Sequence, residues 1–454
     1  MSSSFKQLSV AIVGAGPAGV LVAAEAAIKG HLVTWIDNQQ FQSGLLQQYL
    51  DVPSNTKLQH LTELGLFDTP IKELAERHPS VQEALHQVFD NALPSPPHLA
   101  AVDPSPNSNQ AWPRLGDMQQ LFQSCSTVLS TLPNVTTIDG RALLLARKNN
   151  KWHISTNAAA AVIPSTDAVV LCCGGQPRVV SEFADFDNAV LVPLRPDALE
   201  PLVLNQVDAL NPTVLSSTLT KLKPKAIALI GNSHTAALVA RNLQVLGYDR
   251  QTVTVYCHQP MQLAEWIPDL FNYKYTATGL KGLAAAYAME EDGEDTEGPM
   301  SDAHIQLIDR NASYIDQDFL LKHDVVIPCV GFVPAAHPQI RINNSVCSVV
   351  DDEGTAGNTD DNEWTPTLLK YDAATSAINA RENIYELGMS RPEYFTTYPE
   401  EKYPTPAIHG GDETNRVGWK DQRLVSWSSF RLRAKQIVAN MEEHDERINN
   451  GGKA

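Results

Sequence analysis

The chain has 454 residues, 43% of them hydrophobic, enough for two or three globular domains at about 100–200 residues each. Its 34 Lys and Arg stand against 52 Asp and Glu, a formal net charge of −18, which argues against nucleic acid as a partner because phosphate-neutralising surfaces need clustered cations. No run of about 18 apolar residues occurs, the opening MSSSFKQ has no secretory pattern, and the six cysteines form no CxxC; a soluble, cytoplasmic protein without membrane segment or disulfide framework is expected.

The first informative stretch, VAIVGAGPAGVLVAAEAAIKGHLVTWID over 10–37, predicts strand, Gly-rich turn, Ala-rich helix and strand. A Pro- and Asn-rich loop, PSPPHLAAVDPSPNSNQAWP, and a helix from Met118 to Leu129 follow. NVTTID, ALLLARKNN and KWHIST read as meander strands, and AVVLCCGG closes this half. From about Lys225, AIALIGNSHTAALVARNLQVLGYDRQTVTVYCH repeats the first grammar, with a helix beginning near Thr235 and ending near Gly247. Two mononucleotide-binding units of Rossmann type, in an α/β fold, are therefore expected. The acidic segments MEEDGEDTEG and DDEGTAGNTDDNE read as solvated loops, HIQLID and DVVIPCVGF as strands, and the tail from Leu424 as a helix.

In GAGPAG the glycines have different jobs. Gly14 allows the tight turn, Gly16 lets backbone touch a pyrophosphate, and Gly19 lets helix and sheet pack closely. Pro17 suits the first helical turn, and the amides of the Ala15 to Ala18 stretch, with the positive helix end, favour a diphosphate. Asp37 follows at about the 20-residue spacing from which a carboxylate accepts hydrogen bonds from a ribose, and its charge repels a 2′-phosphate. FAD or NAD fits this turn better than NADP; the alternative is a tight turn without ligand. In GNSHTA, Gly231 makes the turn, Ser233 and Thr235 offer hydroxyls, and Asn232 and His234 lie within it. An ordinary capped helix is the alternative there. The following strand ends at Tyr256, Cys257 and His258 with no carboxylate, while Arg241 and Arg250 are available cations, so NADPH is favoured over NADH.

These motifs resemble the two-dinucleotide-binding-domain flavoproteins, which include pyridine nucleotide-disulfide reductases and flavin-containing and N-hydroxylating monooxygenases. DAVVLCCGG and DVVIPCVGF look like that group's recurrent strands. GLLQQYLDVPSNTK, GNSHTAALVARNL, YTATGLKG and NIYELGMSRPEY are similar to an ill-characterised branch of FAD-dependent oxidoreductases. The resemblance implies a FAD domain over 1–215 resumed at 321–454, with an NAD(P) domain over 220–320 inserted in it. It further implies that Gly14, Gly16, Gly19 and Asp37 bind the adenylate half of FAD, that Cys173 and Gly174 lie beside it, and that Gly388 sits near the flavin ring. Disulfide reductases of the group carry a CxxC that is missing here, and the FxGxxxH fingerprint of one monooxygenase class is missing too. Cys172 and Cys173 read as packing residues, since neighbours on a strand face opposite ways.

Asn55 and His234 are the candidates for catalytic contact. Asn55, in VPSNTKLQHL with Thr56, Lys57 and His60, either bonds the flavin or structures its loop; His234 either touches phosphate or nicotinamide or caps the helix. Trp112, Arg114 and Asp117 read as loop anchors ahead of substrate walls. HGGDETNRVGWKDQ is a flavin-side loop or a surface turn. No GxSxG elbow, HExxH helix or metal-ligand cluster is present. The expected activity is hydride transfer from NAD(P)H to FAD followed by O₂-dependent oxygenation of a small substrate. The alternatives are reduction of a quinone or other acceptor, and a nucleotide-binding sensor without turnover. Oligomeric state is not legible.

Overall fold

The computed structural model describes residues 6–63, 65–94, 111–158, 163–177, 202–257, 261, 265–267, 272–274, 280, 282–291, 305–307, 322–343, 345–350, 367–370, 377–379, 383–387 and 427–449. The first part forms β1 (Ser9–Val13), α1 (Pro17–Ile28), β2 (Leu32–Asp37), a 3-10 turn (Gly44–Gln48), α2 (Leu58–Glu63), α3 (Ile71–Arg77), α4 (Pro79–Asp90), α5 (Leu115–Leu129), β3 (Val135–Asp139), β4 (Ala142–Lys148), β5 (Lys151–Thr156), β6 (Ala168–Leu171) and β7 (Gly175–Pro177). The middle forms β8 (Leu202–Val203), α6 (Gln206–Leu210), α7 (Pro212–Leu222), β9 (Ile227–Ile230), α8 (His234–Val245), β10 (Val253–Cys257), β11 (Glu265–Ile267), β12 (Asn272–Lys274), α9 (Gly282–Glu291), β13 (Ile305–Leu307), β14 (Val325–Pro328) and β15 (Phe332–Pro334). The last part forms β16 (Gln339–Ile342), β17 (Ser345–Val350), β18 (Thr367–Lys370), β19 (Ala377–Asn379), β20 (Ile384–Glu386) and α10 (Trp427–Asn449).

Strand β1 is apolar from Val10 to Val13 because it lies inside a parallel sheet and is buried on both faces. That sheet runs β19-β20-β6-β1-β2-β3. A second runs β13-β10-β9-β14-β8, where β9 lies between β10 and β14 as β1 lies between β2 and β6. The second sheet takes its strands from 202–328, and the first takes strands from both sides of that stretch. NVTTID does not join a meander: it is β3, parallel to β2 with Val135 opposite Val33. Parallel neighbours need a crossover, and the helices between β2 and β3 provide it. ALLLARKNN and KWHIST do make the hairpin β4–β5, in a third sheet ordered β18-β17-β16-β4-β5. Strands β7 and β15 pair antiparallel, Phe332 opposite Pro177.

Helix α1 is buried from Ala18 to Ala27, on its outer face as well, because α10 covers it. Ala434, Ile437, Val438 and Met441 form one apolar stripe on α10 and belong to the same core. Polar contacts fix the register. Lys29 Nζ lies 3.3 Å from Glu442 Oε2, and the sealed His31 ring is held from both ends. Leu8 N–H donates to its Nδ1 at 3.3 Å, and its Nε2 lies 3.1 Å from Glu442 Oε1. An accepting Nδ1 requires the neutral ring with its proton on Nε2. Among the described residues no helix is long and apolar enough to cross a membrane.

Burial pulls His31 below the ordinary histidine value of 6.5, against the raising effect of Glu442. The unfolded chain therefore takes up this proton more readily than the folded one. The stabilisation is complete above that pH and drains as pH falls through it. Denaturant unfolding at about pH 7.5 and about pH 5.5 is expected to show lower stability in acid, with a smaller difference in His31→Gln; an equal difference in the variant contradicts this assignment.

Candidate functional site

The Gly-rich turn lies at the carboxyl end of β1, facing the start of α1. Gly14 has φ +104°, and a β-carbon on it would overlap the Cys172 carbonyl oxygen, at the end of the neighbouring β6. A β-carbon on Gly19 would overlap the Gly14 carbonyl oxygen. One on Gly16 would meet nothing within 4 Å, and the backbone there is extended. Gly14 and Gly19 are thus demanded by chain packing. Gly16 is not, and it opens onto free space where α1 begins with no side-chain cap and no acidic residue in its first turn. Pro17 takes the first helical position.

The second unit repeats this construction. Gly231 also has φ +104°, and its β-carbon would lie 2.5 Å from the Cys329 carbonyl oxygen, at the end of β14. Gly14 N–H donates to Ile36 O at 2.8 Å and Gly231 N–H to Tyr256 O at 2.7 Å; Cys172 N–H donates to Val13 O and Cys329 N–H to Ile230 O, each at 2.7 Å. Even the starts of the third strands match. Asp167 accepts from Ser9 N–H at 2.9 Å, and Asp324 accepts from Lys225 N–H at 2.6 Å and Ala226 N–H at 3.1 Å. Beyond each turned strand, Gly174 (φ +72°) and Gly331 (φ +83°) face open space.

Among solved structures, a flavin monooxygenase from Stenotrophomonas maltophilia is similar over 97% of this chain and 99% of its own, with TM-score 0.50 and 12% identity. The fold is that of the two-dinucleotide-binding-domain flavoproteins. A bacillithiol disulfide reductase from Staphylococcus aureus is similar at TM-score 0.47 and 13% identity, over 96% of this chain and 98% of that one. An S-allyl-L-cysteine S-oxygenase from Allium sativum is similar at TM-score 0.47 and 13% identity, over 98% and 82%. No protein-family model and no curated protein matches.

In this flavoprotein fold Asp37 has a use that spacing did not reveal. It is 6% exposed, and its carboxylate accepts from Ala15 N–H at 2.9 Å, Gln39 N–H at 2.8 Å and Phe41 N–H at 3.0 Å. It ties the Gly-rich turn to a loop in which Gln40, Phe41 and Ser43 all hold positive φ, leaving about one acceptor lobe for a ligand. Ser233 donates its hydroxyl proton to Cys329 O at 3.3 Å. Gly231, Asn232, His234 and Thr235 are partly exposed around the second turn, with His234 the first residue of α8. Asn55 is exposed and accepts from the Thr56 hydroxyl at 3.2 Å, a loop-structuring contact. Cys173 is partly exposed beside Gly174. Gly388, the 409–422 segment and the Pro- and Asn-rich loop from residue 95 to 110 lie outside the described residues.

Two arrangements escaped sequence reading. Trp112 is 3% exposed, with Lys57 Nζ 5.7 Å from its ring centroid and its Cζ3 2.8 Å from where a Gly282 β-carbon would be. Gly282 (φ +59°) opens α9, so Trp112 ties the stretch before α5 to the second Rossmann-type unit. The other is an imidazole–carboxylate pair: His337 Nε2 lies 2.7 Å from Oε1 of Glu386, which is 0% exposed on β20. The pair is 49 residues apart in sequence; Glu386 lies within NIYELGMSRPEY, but nothing in the sequence joins it to His337. The Cys172 and Cys173 thiols nearby are pushed up by burial, Cys173 to about 12, and stay protonated at neutral pH.

Asp37→Ala removes three charge-assisted hydrogen bonds to backbone amides, two of them holding a left-handed loop. Chemical denaturation is expected to show a loss of about 3 kcal/mol or more, independent of any added nucleotide; a loss under about 1 kcal/mol would mean that the loop stands without this clamp.

Proposed function

We propose that the chain is a FAD-dependent oxidoreductase that takes hydride from NAD(P)H and oxygenates a small organic substrate. The observation that carries this reading is the Gly16 position, open in front of an uncapped helix where every other glycine constraint of the turn is steric. Such an end offers amide donors and a positive dipole to a diphosphate. Ala15, Gly16, Pro17 and Ala18 line it, Gly14 and Gly19 hold its shape, and Asp37 fixes the turn while keeping one lobe for a ribose. Cys173 and Gly174 border the same crevice, at the carboxyl ends of β6 and β1, where open α/β sheets take ligands. Gly388 is proposed to lie near the flavin ring.

The nicotinamide nucleotide is assigned to Gly231, Asn232, Ser233, His234 and Thr235, in a unit spanning about 202–328 within the FAD unit. Strand β10 closes on Tyr256 and Cys257 without a carboxylate, which favours NADPH as donor. Bound flavin accepts two electrons as hydride and passes them on. The chain's part is to align the rings and exclude water. All six cysteines are free, no two stand as CxxC, and the thiols beside the crevice are pushed up, which supports O₂ over a dithiol as the outlet. Free thiols also suit a reducing compartment, the cytoplasm.

Purified protein is expected to be yellow or to take up FAD on reconstitution, and NADPH to bleach it under anaerobic conditions. Mixing with O₂ is then expected to oxygenate an amine, thioether or ketone; immediate peroxide release in stoichiometric yield with every substrate points to a reductase. A glycine pair tests the site itself. Gly16→Val is expected to leave apo stability within about 0.5 kcal/mol and lower FAD affinity by about 100-fold or more. Gly14→Ala is expected to cost about 3 kcal/mol through strain and overlap with the Cys172 carbonyl. Unaltered FAD affinity in Gly16→Val sinks the assignment.

A further inference from the structure

Tyr49 closes the 3-10 turn (Gly44–Gln48) of the first unit, its N–H donating to Leu46 O at 3.0 Å. Its ring is buried elsewhere, in the core of the second unit, where it meets Phe332 of β15 edge-on with centroids 6.0 Å apart. The other end of the same turn touches the Gly-rich turn: a β-carbon on Gly44 (φ +60°) would lie 3.2 Å from Gly16 Cα. Gln206, the first residue of α6, is buried on the side of the second unit and donates its Nε2–H to Gly331 O at 3.2 Å. Gly331 follows β14 and opens onto free space beyond it. A line of contacts thus runs from Gly16 to Gly331, and one link in it is unmade. Burial pushes the Tyr49 phenol well up and Gln206 pulls it the other way, yet among the described residues neither Tyr49 Oη nor Gln206 Oε1 has a hydrogen-bond partner. A buried hydroxyl donor and a buried amide acceptor left apart cost free energy that their bond would recover.

We propose that Tyr49 links the two Rossmann-type turns energetically, so that a nucleotide held at one raises the affinity of the other for its own. This deepens the functional reading above and rests on both turns taking nucleotides. The link is made when the Tyr49 O–H donates to Gln206 Oε1. A nucleotide against Gly331 fixes that carbonyl and the Gln206 amide bonded to it, which presents Oε1 to the hydroxyl. The new bond in turn fixes the 3-10 turn, and Gly44 with it, against Gly16. The first nucleotide orders this stretch and the second finds it ordered, which gives positive cooperativity. By linkage the factor is the same in both directions.

The test uses full-length apoprotein, as wild type, Tyr49→Phe and Gln206→Leu, with FAD and NADP⁺ as probes. The oxidised dinucleotide leaves the flavin oxidised, so binding is read at equilibrium. FAD affinity is measured from flavin fluorescence with and without saturating NADP⁺, and NADP⁺ affinity by calorimetry with and without FAD. In wild type each nucleotide is expected to tighten the other by about 5-fold or more, by the same factor both ways. Tyr49→Phe keeps the ring against Phe332 and loses only the hydroxyl. FAD alone is therefore expected to bind it within about 2-fold of wild type, while the mutual tightening falls below about 2-fold. Wild type that binds both nucleotides independently overturns the proposal and leaves the functional reading standing; so does a Tyr49→Phe protein that retains the full factor. Should Tyr49→Phe bind no FAD, Gln206→Leu decides: a lost factor supports the proposal and a retained one overturns it. Wild type that fails to take up one of the two nucleotides overturns the functional reading as well.

Discussion

Each Rossmann-type unit depends on a backbone carbonyl approaching a residue that can have no side chain. Cys172 O sits where a Gly14 β-carbon would be, and Cys329 O lies 2.5 Å from the corresponding point on Gly231. The positive φ of both glycines turns the chain out of its strand and into a helix within three residues, so the helix start faces the crevice between the first and third strands. Everything proposed for either turn follows from that approach. Without it the helix would begin elsewhere, and its amides would not converge where β1 and β6, or β9 and β14, end.

Carboxylates do much of the remaining positioning, and they act on backbone before any ligand. Asp167 and Asp324 hold the starts of the first strands of their units, and Asp37 holds the turn to the loop beyond β2. These are charge-assisted bonds to amide donors, stronger than neutral ones and directional. A shape made this way is preformed, which lowers the ordering cost for any ligand taken at these turns. The buried Glu386 carboxylate also meets a side chain, with His337 Nε2 at 2.7 Å.

Much of the fold was legible because its signals are local. The strand-turn-helix-strand grammar at Val10 to Asp37 and again from Ile227 to Cys257 lies within about 30 residues each time, the span of one such unit. The steric roles of Gly14 and Gly19 follow from the same short pattern. What stayed illegible depends on sheet order. NVTTID looks like a meander strand until the helices before it carry it across to β2. His337 and Glu386 meet only because β20 pairs with β6 while β15 pairs with β7. Asp37 shows a third kind of limit: its spacing points to a ribose, while the structure shows its oxygens taken by three nearby amides.

The return of α10 onto α1 and of β20 onto β6 also bears on how the chain is made. Strand β20 emerges from the ribosome roughly 200 residues after β6, a wait of about 10–40 s at about 5–20 residues per second. Through that interval the nascent first sheet lacks a neighbour on one side, and α1 lacks its outer cover. The intervening unit is contiguous, so all the strands of its sheet are synthesised before the surrounding sheet gains β19 and β20.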